Sequence, residues 1–169
     1  MGVYSVDKLI GEARRIAAEY RRATGKPLAG VSGEVCQYDA AQLLDLELLK
    51  SPELGYDALG RGARDGLRIQ IKGRAIFDEN KSGQRIGQLK LEQDWDRVVL
   101  VLMDEDLEAF EIYEASREEI VTALDESVPS KRSKRGIMSV AKFKMIGHLA
   151  WTRENGTEDD ELWVKPQSD

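Results

Sequence analysis

The chain has 169 residues, 41% of them hydrophobic and 33% charged, with a formal net charge of -6. That length suffices for one α/β domain with a real core, no run approaches the ~20 apolar residues of a membrane span, and the acidic balance argues against a dedicated basic nucleic-acid binder, although charge distribution matters more than the sum. A lone cysteine, Cys36, excludes an internal disulfide, and residues 1–5 lack a basic-then-apolar signal segment, so the expected location is cytoplasmic.

A first helix is predicted over residues 5–24. Ser5 caps it, Gly25 and Pro27 end it, and Val6, Leu9, Ile10, Ala13, Ile16, Ala17 and Tyr20 form one apolar stripe. Arg14, Arg15, Arg21 and Arg22 lie on the other face, which reads as solvated, with a phosphate-facing surface as the alternative. A second helix is predicted over residues 33–50, with Ser32 as N-cap and Glu34 in the first turn, where the helix dipole favours an acid. Val35, Cys36, Ala40, Leu43, Leu44 and Leu48 supply its buried side, and Cys36 reads as a small core residue.

Residues 55–59 and 67–74 are predicted to pair as an antiparallel hairpin around a glycine-rich loop at 60–66. Residues 78–94 are polar and carry Lys81, Arg85 and Lys90; they read as a mobile loop with a short ordered piece. Val98 to Met103 is a continuous apolar run, the mark of a central strand buried on both faces. Asp104-Glu105-Asp106 reads as a solvated turn before a strand over 110–113, and Ser116-Arg117-Glu118-Glu119 as a capping box opening a helix that ends before Pro129. The segment 130–136, SKRSKRG, is a loop, read either as a solvated linker or as an arm contacting phosphates through Lys131, Arg132, Lys134 and Arg135. Val140, Phe143, Ile146 and Ala150 outline a last amphipathic helix that carries His148, read as structural. Trp151 and Leu162-Trp163-Val164 are expected to add a terminal strand across the acidic turn 158–161.

The residues that carry chemistry sit in the hairpin. Gly55-Tyr56-Asp57-Ala58 is followed by Arg68-Ile69-Gln70-Ile71-Lys72-Gly73-Arg74. Ile69 and Ile71 alternate with Gln70 and Lys72, so Gln70 and Lys72 point the same way. With Asp57 on the neighbouring strand, an acid, an amide and an ammonium gather in one place, a set suited to a divalent metal and a water directed at phosphorus.

This pattern resembles the PD-(D/E)xK nuclease superfamily, over roughly residues 30 to 125. The resemblance implies a restriction-endonuclease-like mixed sheet flanked by helices, within a single domain that continues into an extension over 130–165. It implies Asp57 as metal-bridging acid, Gln70 as second ligand, Lys72 as motif lysine and Glu34 as the helix glutamate, with the Ile71 carbonyl as a further metal ligand. The implied ion is Mg²⁺ or Mn²⁺ and the implied substrate DNA, with Arg74, Lys81 and the 131–135 cluster on its backbone. Small nucleases of this fold often work as dimers, which implies a homodimer. Two departures stand out: Tyr56 occupies the motif's proline position, and Gln70 stands where an acid is usual. Two other readings stay open. One is a non-catalytic nucleic-acid-binding or protein-interaction domain on the same fold; the other is an α/β adaptor whose polar motif residues are merely solvated.

Overall fold

The computed structural model describes residues 5–50, 55–76, 84–126 and 136–158. Its elements are α1 (Val6–Thr24), α2 (Val31–Leu44), β1 (Leu46–Leu48), β2 (Ala58–Gly60), β3 (Arg68–Ala75), β4 (Arg85–Gln88), β5 (Arg97–Met103), β6 (Ala109–Ser116), α3 (Arg117–Glu126), β7 (Ile137–Ser139), α4 (Val140–Ile146), β8 (His148–Thr152) and β9 (Gly156–Thr157). Seven strands form a mixed sheet in the order β1-β2-β3-β5-β6-β8-β9, in which only the β3–β5 pair is parallel. β4 and β7 form a separate antiparallel pair.

The protein is therefore an α/β domain, and β5 shows why. Every residue from Val98 to Met103 is buried, and the pleat sends alternate side chains to opposite faces. Val99, Val101 and Met103 join Ile69, Ile71 and the apolar sides of α1 and α2 in one core cluster. Val98, Leu100 and Leu102 join Ile86, Trp95, Ile120, Met138 and Phe143 in a second, beneath α3, α4 and the small sheet. Among the described residues no helix is long and apolar enough to cross a membrane.

Several local signals act as the sequence predicts. The Ser5 hydroxyl accepts the Lys8 N–H, and Gly25 closes α1 at φ 75°. At α3 the capping box is reciprocal: Ser116 Oγ accepts the Glu119 N–H at 3.1 Å and Glu119 Oε1 accepts the Ser116 N–H at 2.8 Å. β2 and β3 pair antiparallel, with Ala58 opposite Ile69. The 104–106 turn is fastened by Asp104, whose Oδ1 accepts the Asp106 and Glu108 N–H groups.

Elsewhere the structure departs from the sequence reading. The α1 stripe is not one buried face. Ala17 and Ala18 are buried, whereas Val6, Leu9, Ile16 and Tyr20 are exposed. Arg14 is neither solvated nor turned to a phosphate: it makes a bidentate pair with Asp39 at 2.8 Å and donates to the Leu107 carbonyl at 2.7 Å, tying α1 to α2 and to the β5–β6 turn. Helix α2 starts at Val31, with Gly30 at φ 83° in the cap position in place of Ser32 and no side chain capping it. It ends at Leu44 because Asp45 turns left-handed, at φ 57°, and Leu46–Leu48 continue as a strand, so Leu48 lies on β1. The last helix stops at Ile146, its end capped by the Gly147 N–H bonding to Phe143 O, so His148 and Ala150 lie on β8. Trp151 pairs with Thr157 across a tight turn. The partner strand expected at 162–164, and Lys81, Lys131, Arg132, Lys134 and Arg135, lie outside the described residues.

Candidate functional site

The hairpin brings Asp57, Gln70 and Lys72 to a single cavity of about 210 Å³, lined also by Gly55, Gln88 and Gln93. Asp57 immediately precedes β2 and is held by backbone on both sides: its N–H donates to Ile69 O at 2.8 Å and its carbonyl accepts the Leu49 N–H at 2.9 Å. Its carboxylate reaches across the end of the pair, where Oδ2 accepts the Ile71 N–H at 2.8 Å. A strand residue presents its N–H and C=O to the same edge. The Ile71 carbonyl is therefore turned to the Asp57 side as well.

Gln70 is buried, with 7% of its surface exposed. Its Nε2 donates to the Gly55 carbonyl at 2.9 Å. That carbonyl can only accept, so it fixes which end of the amide faces it. The amide oxygen Oε1 is left as the one buried side-chain polar atom without a hydrogen-bond partner among the described residues. Such an orphan is costly unless something meets it. Gly55 is required for this contact: its φ is 88°, and a Cβ there would lie 2.7 Å from Gln93 Cβ.

Lys72 is half-buried and donates to the Gln88 carbonyl at 3.3 Å. Burial pulls its ammonium below the ordinary value; Asp57 opposes that shift, and the neighbouring charges of Arg74 and Lys90 add to it. Burial pushes the Asp57 carboxyl above its ordinary range, against the Ile71 N–H and the charge of Lys72. The acid and the ammonium thus sense each other within one low-dielectric pocket. Arg74, two residues further along β3, donates to the carbonyls of Arg85 and Gly73. Burial lowers it, and no carboxylate pairs with it among the described residues.

Glu34 is not brought into this group. It is exposed in the first turn of α2, and α2 packs on the sheet face that carries Ile69 and Ile71. Gln70 and Lys72 point to the opposite face. No hydrogen bond or ion pair among the described residues joins Glu34 to Asp57, Gln70 or Lys72. Cys36, two residues on, is buried against Gly73, and burial pushes its thiol up to about 12, which leaves it inert.

The cavity wall carries hard oxygen donors that could serve a divalent ion, the Asp57 carboxylate and the Gln70 amide, and the Ile71 carbonyl lies on the adjoining strand edge; Gln70 Oε1 itself is buried within the wall. Among the described residues no group of three or more His, Cys, Asp or Glu side chains is placed to hold a metal. The donor set fits Mg²⁺ or Mn²⁺ in the manner of sites with one carboxylate, where substrate phosphates and waters complete the shell.

A second polar cluster lay outside the sequence reading. Glu114, fully buried on β6, accepts from Arg64 at 2.9 Å and from Arg97 at 3.1 Å, and His148 Nε2 lies 3.6 Å from its Oε1. Burial alone would raise this carboxyl, but His148, Arg64 and Arg97 hold it down at about 2. A signal was present: Glu114 is in phase with the buried Ile112, so the strand period places a carboxylate on the core side. No protein-family model and no curated protein gives a match to the chain.

Proposed function

We propose that the protein is a metal-dependent nuclease acting on DNA, built on a restriction-endonuclease-like sheet, with its active site at Asp57, Gln70, Ile71 and Lys72. The observation that supports this reading is the buried Gln70 Oε1, unpartnered among the described residues, on a side chain that lines the same cavity as Asp57 and Lys72. An acceptor placed there without a donor suits a cation.

Asp57, Gln70 Oε1 and the Ile71 carbonyl would hold Mg²⁺ or Mn²⁺. When bound, the ion supplies charge stabilisation at the scissile phosphate and a more acidic water. Asp57 is pre-aimed by the Ile71 N–H, so it pays little ordering entropy on engaging a ligand. Lys72 orients the attacking water and offsets negative charge growing on the phosphate. Its tether to the Gln88 carbonyl keeps the ammonium at the cavity wall. Arg74, half-buried and without a carboxylate partner among the described residues, would contact the DNA backbone beside the site.

The test is cleavage of supercoiled and single-stranded DNA with Mg²⁺ or Mn²⁺ by wild type, Asp57→Ala and Lys72→Ala. Metal-dependent nicking that both variants lose supports the assignment; undiminished nicking by Asp57→Ala overturns it. A second reading is a DNA-binding or protein-interaction domain on the same scaffold without catalysis. The single carboxylate of the cavity and the net charge of -6 favour it. It predicts binding or assembly indifferent to Lys72→Ala, with no cleavage by wild type.

A further inference from the structure

Helix α1 carries a second apolar face that the protein's own core does not use. Among the described residues, the exposed large hydrophobic side chains are Val6 (62%), Leu9 (45%), Ile16 (50%), Tyr20 (40%) and Met145. All but Met145 lie on α1. With the half-buried Ala13 they fall at positions 6, 9, 13, 16 and 20, steps of three and four, which is the a/d spacing of a coiled-coil seam. The seam is continuous over about 21 Å of helix. Ala17, Ala18 and the Arg14 clamp occupy the adjacent side and fasten α1 to α2.

The rim of the seam specifies its occupant. On the edge away from the core, at helical spacing, stand Lys8, Glu12, Arg15 and Glu19 in alternating sign. Arg15 and Glu19 already pair at 2.8 Å within the helix. A two-fold axis that pairs α1 antiparallel with another α1 reverses this order on the partner. Lys8 then meets Glu19 and Glu12 meets Arg15, each twice. The seam matches as well, with Val6 opposite Tyr20, Leu9 opposite Ile16, and the small Ala13 near the axis. A parallel pair would set this charged rim against the side of α1 that holds Ile10 and Ala17, which faces the protomer's own core.

We propose that α1 is an isologous homodimer interface, formed with a second copy of this chain through the Val6-Leu9-Ala13-Ile16-Tyr20 seam. Such an interface is self-complementary by symmetry. The seam occupies one face of a single helix over about 21 Å, so the expected dimer is reversible and forms in the micromolar range. It is independent of what the Asp57 cavity does.

Sedimentation equilibrium of the full chain across micromolar concentrations tests it. Wild type is expected to pass from monomer to dimer as concentration rises. Ile16→Glu and Leu9→Glu are expected to stay monomeric and to melt as dilute, monomeric wild type does, while Met145→Glu dimerises like wild type. Glu12→Arg is expected to weaken association at least tenfold, and adding Arg15→Glu to recover it. Recovery supports the antiparallel pairing, and no recovery overturns it. A wild type that is monomeric throughout, or an Ile16→Glu variant that still dimerises, overturns the proposal.

Discussion

Asp57 Oδ2 accepts the backbone N–H of Ile71 at 2.8 Å, so the acid of the cavity is bonded to the strand residue that separates Gln70 from Lys72. One hydrogen bond thereby aligns the carboxylate, the amide and the ammonium. It also separates two roles of Asp57 that a single substitution confuses. Asp57→Ala removes the charge and leaves the Ile71 N–H without its partner, and is expected to destabilise the fold by about 1–3 kcal/mol. Asp57→Asn keeps an acceptor for that N–H and removes only the charge. Its melting temperature should lie close to wild type while metal-dependent cleavage is lost. Equal loss of stability in both variants would show that the charge itself holds the hairpin.

The raised pKa of Asp57 gives the site a pH signature. Folding favours the protonated acid, so this contribution to stability is present at low pH and is lost as pH rises through the folded pKa, which lies above the ordinary 3.8. Metal binding runs the other way, because the ion competes with the proton. Titration of Mn²⁺ by calorimetry should therefore show affinity rising with pH through a range above 3.8 in wild type and little change in Asp57→Asn. A wild-type affinity flat across that range would remove Asp57 from the ligand set.

Gln70→Glu tests the missing charge. A second carboxylate beside Asp57 should tighten Mn²⁺ binding at least tenfold. It should also cost stability in metal-free protein by about 1–3 kcal/mol, since an ionised carboxylate cannot donate to the Gly55 carbonyl and is buried beside another acid. Metal should restore the lost stability. The melting temperature with and without Mn²⁺ reads both effects; destabilisation that metal does not relieve would count against a cation site.

How much of this was legible in the sequence depends on distance along the chain. The hairpin, its glycine-rich turn and the shared face of Gln70 and Lys72 were readable because period-two alternation is local. So were the capping box at Ser116 and Glu119 and the buried run of β5. The end of α2 was not, because the apolar Leu46 and Leu48 also satisfy a helical stripe, and only Asp45 in a left-handed conformation makes the break. The buried side of α1 was hidden for a related reason: periodicity marks one apolar stripe, not which of its residues the fold covers, and only Ala17 of that stripe is fully buried. The burial of Gln70 was hidden as well, because it depends on the Gly55 carbonyl fifteen residues away.

The Glu114 cluster predicts acid lability. The folded carboxyl sits at about 2 against an ordinary 4.5. Its contribution to stability is therefore fully present above 4.5 and lost as pH falls toward about 2. The magnitude is on the order of 3 kcal/mol. Glu114→Gln removes the buried charge that the buried Arg64 and the half-buried Arg97 share, and should cost about 3–5 kcal/mol at neutral pH. Urea unfolding of both proteins across the acid range should show the wild-type advantage shrinking as pH falls; a constant difference would mean that Glu114 acts by packing rather than by charge.

Gly73 lies where α2 touches the sheet. A Cβ there would stand 2.6 Å from Cys36 Sγ and 2.7 Å from Cys36 Cβ. Gly73→Ala should therefore lift α2 from β3 and cost about 1–3 kcal/mol through overpacking. It should also disturb Lys72 and Arg74, its neighbours on β3, and so lower any activity of the cavity. Removing the obstructing side chain tests the cause. Cys36→Gly alone opens a small void and loosens α2, whereas Cys36→Gly with Gly73→Ala exchanges one group for another across the same contact. The double variant should be more stable than the sum of the single effects predicts, by about 0.5–3 kcal/mol. Additive losses in that cycle would place the strain of Gly73→Ala somewhere other than the α2–β3 contact.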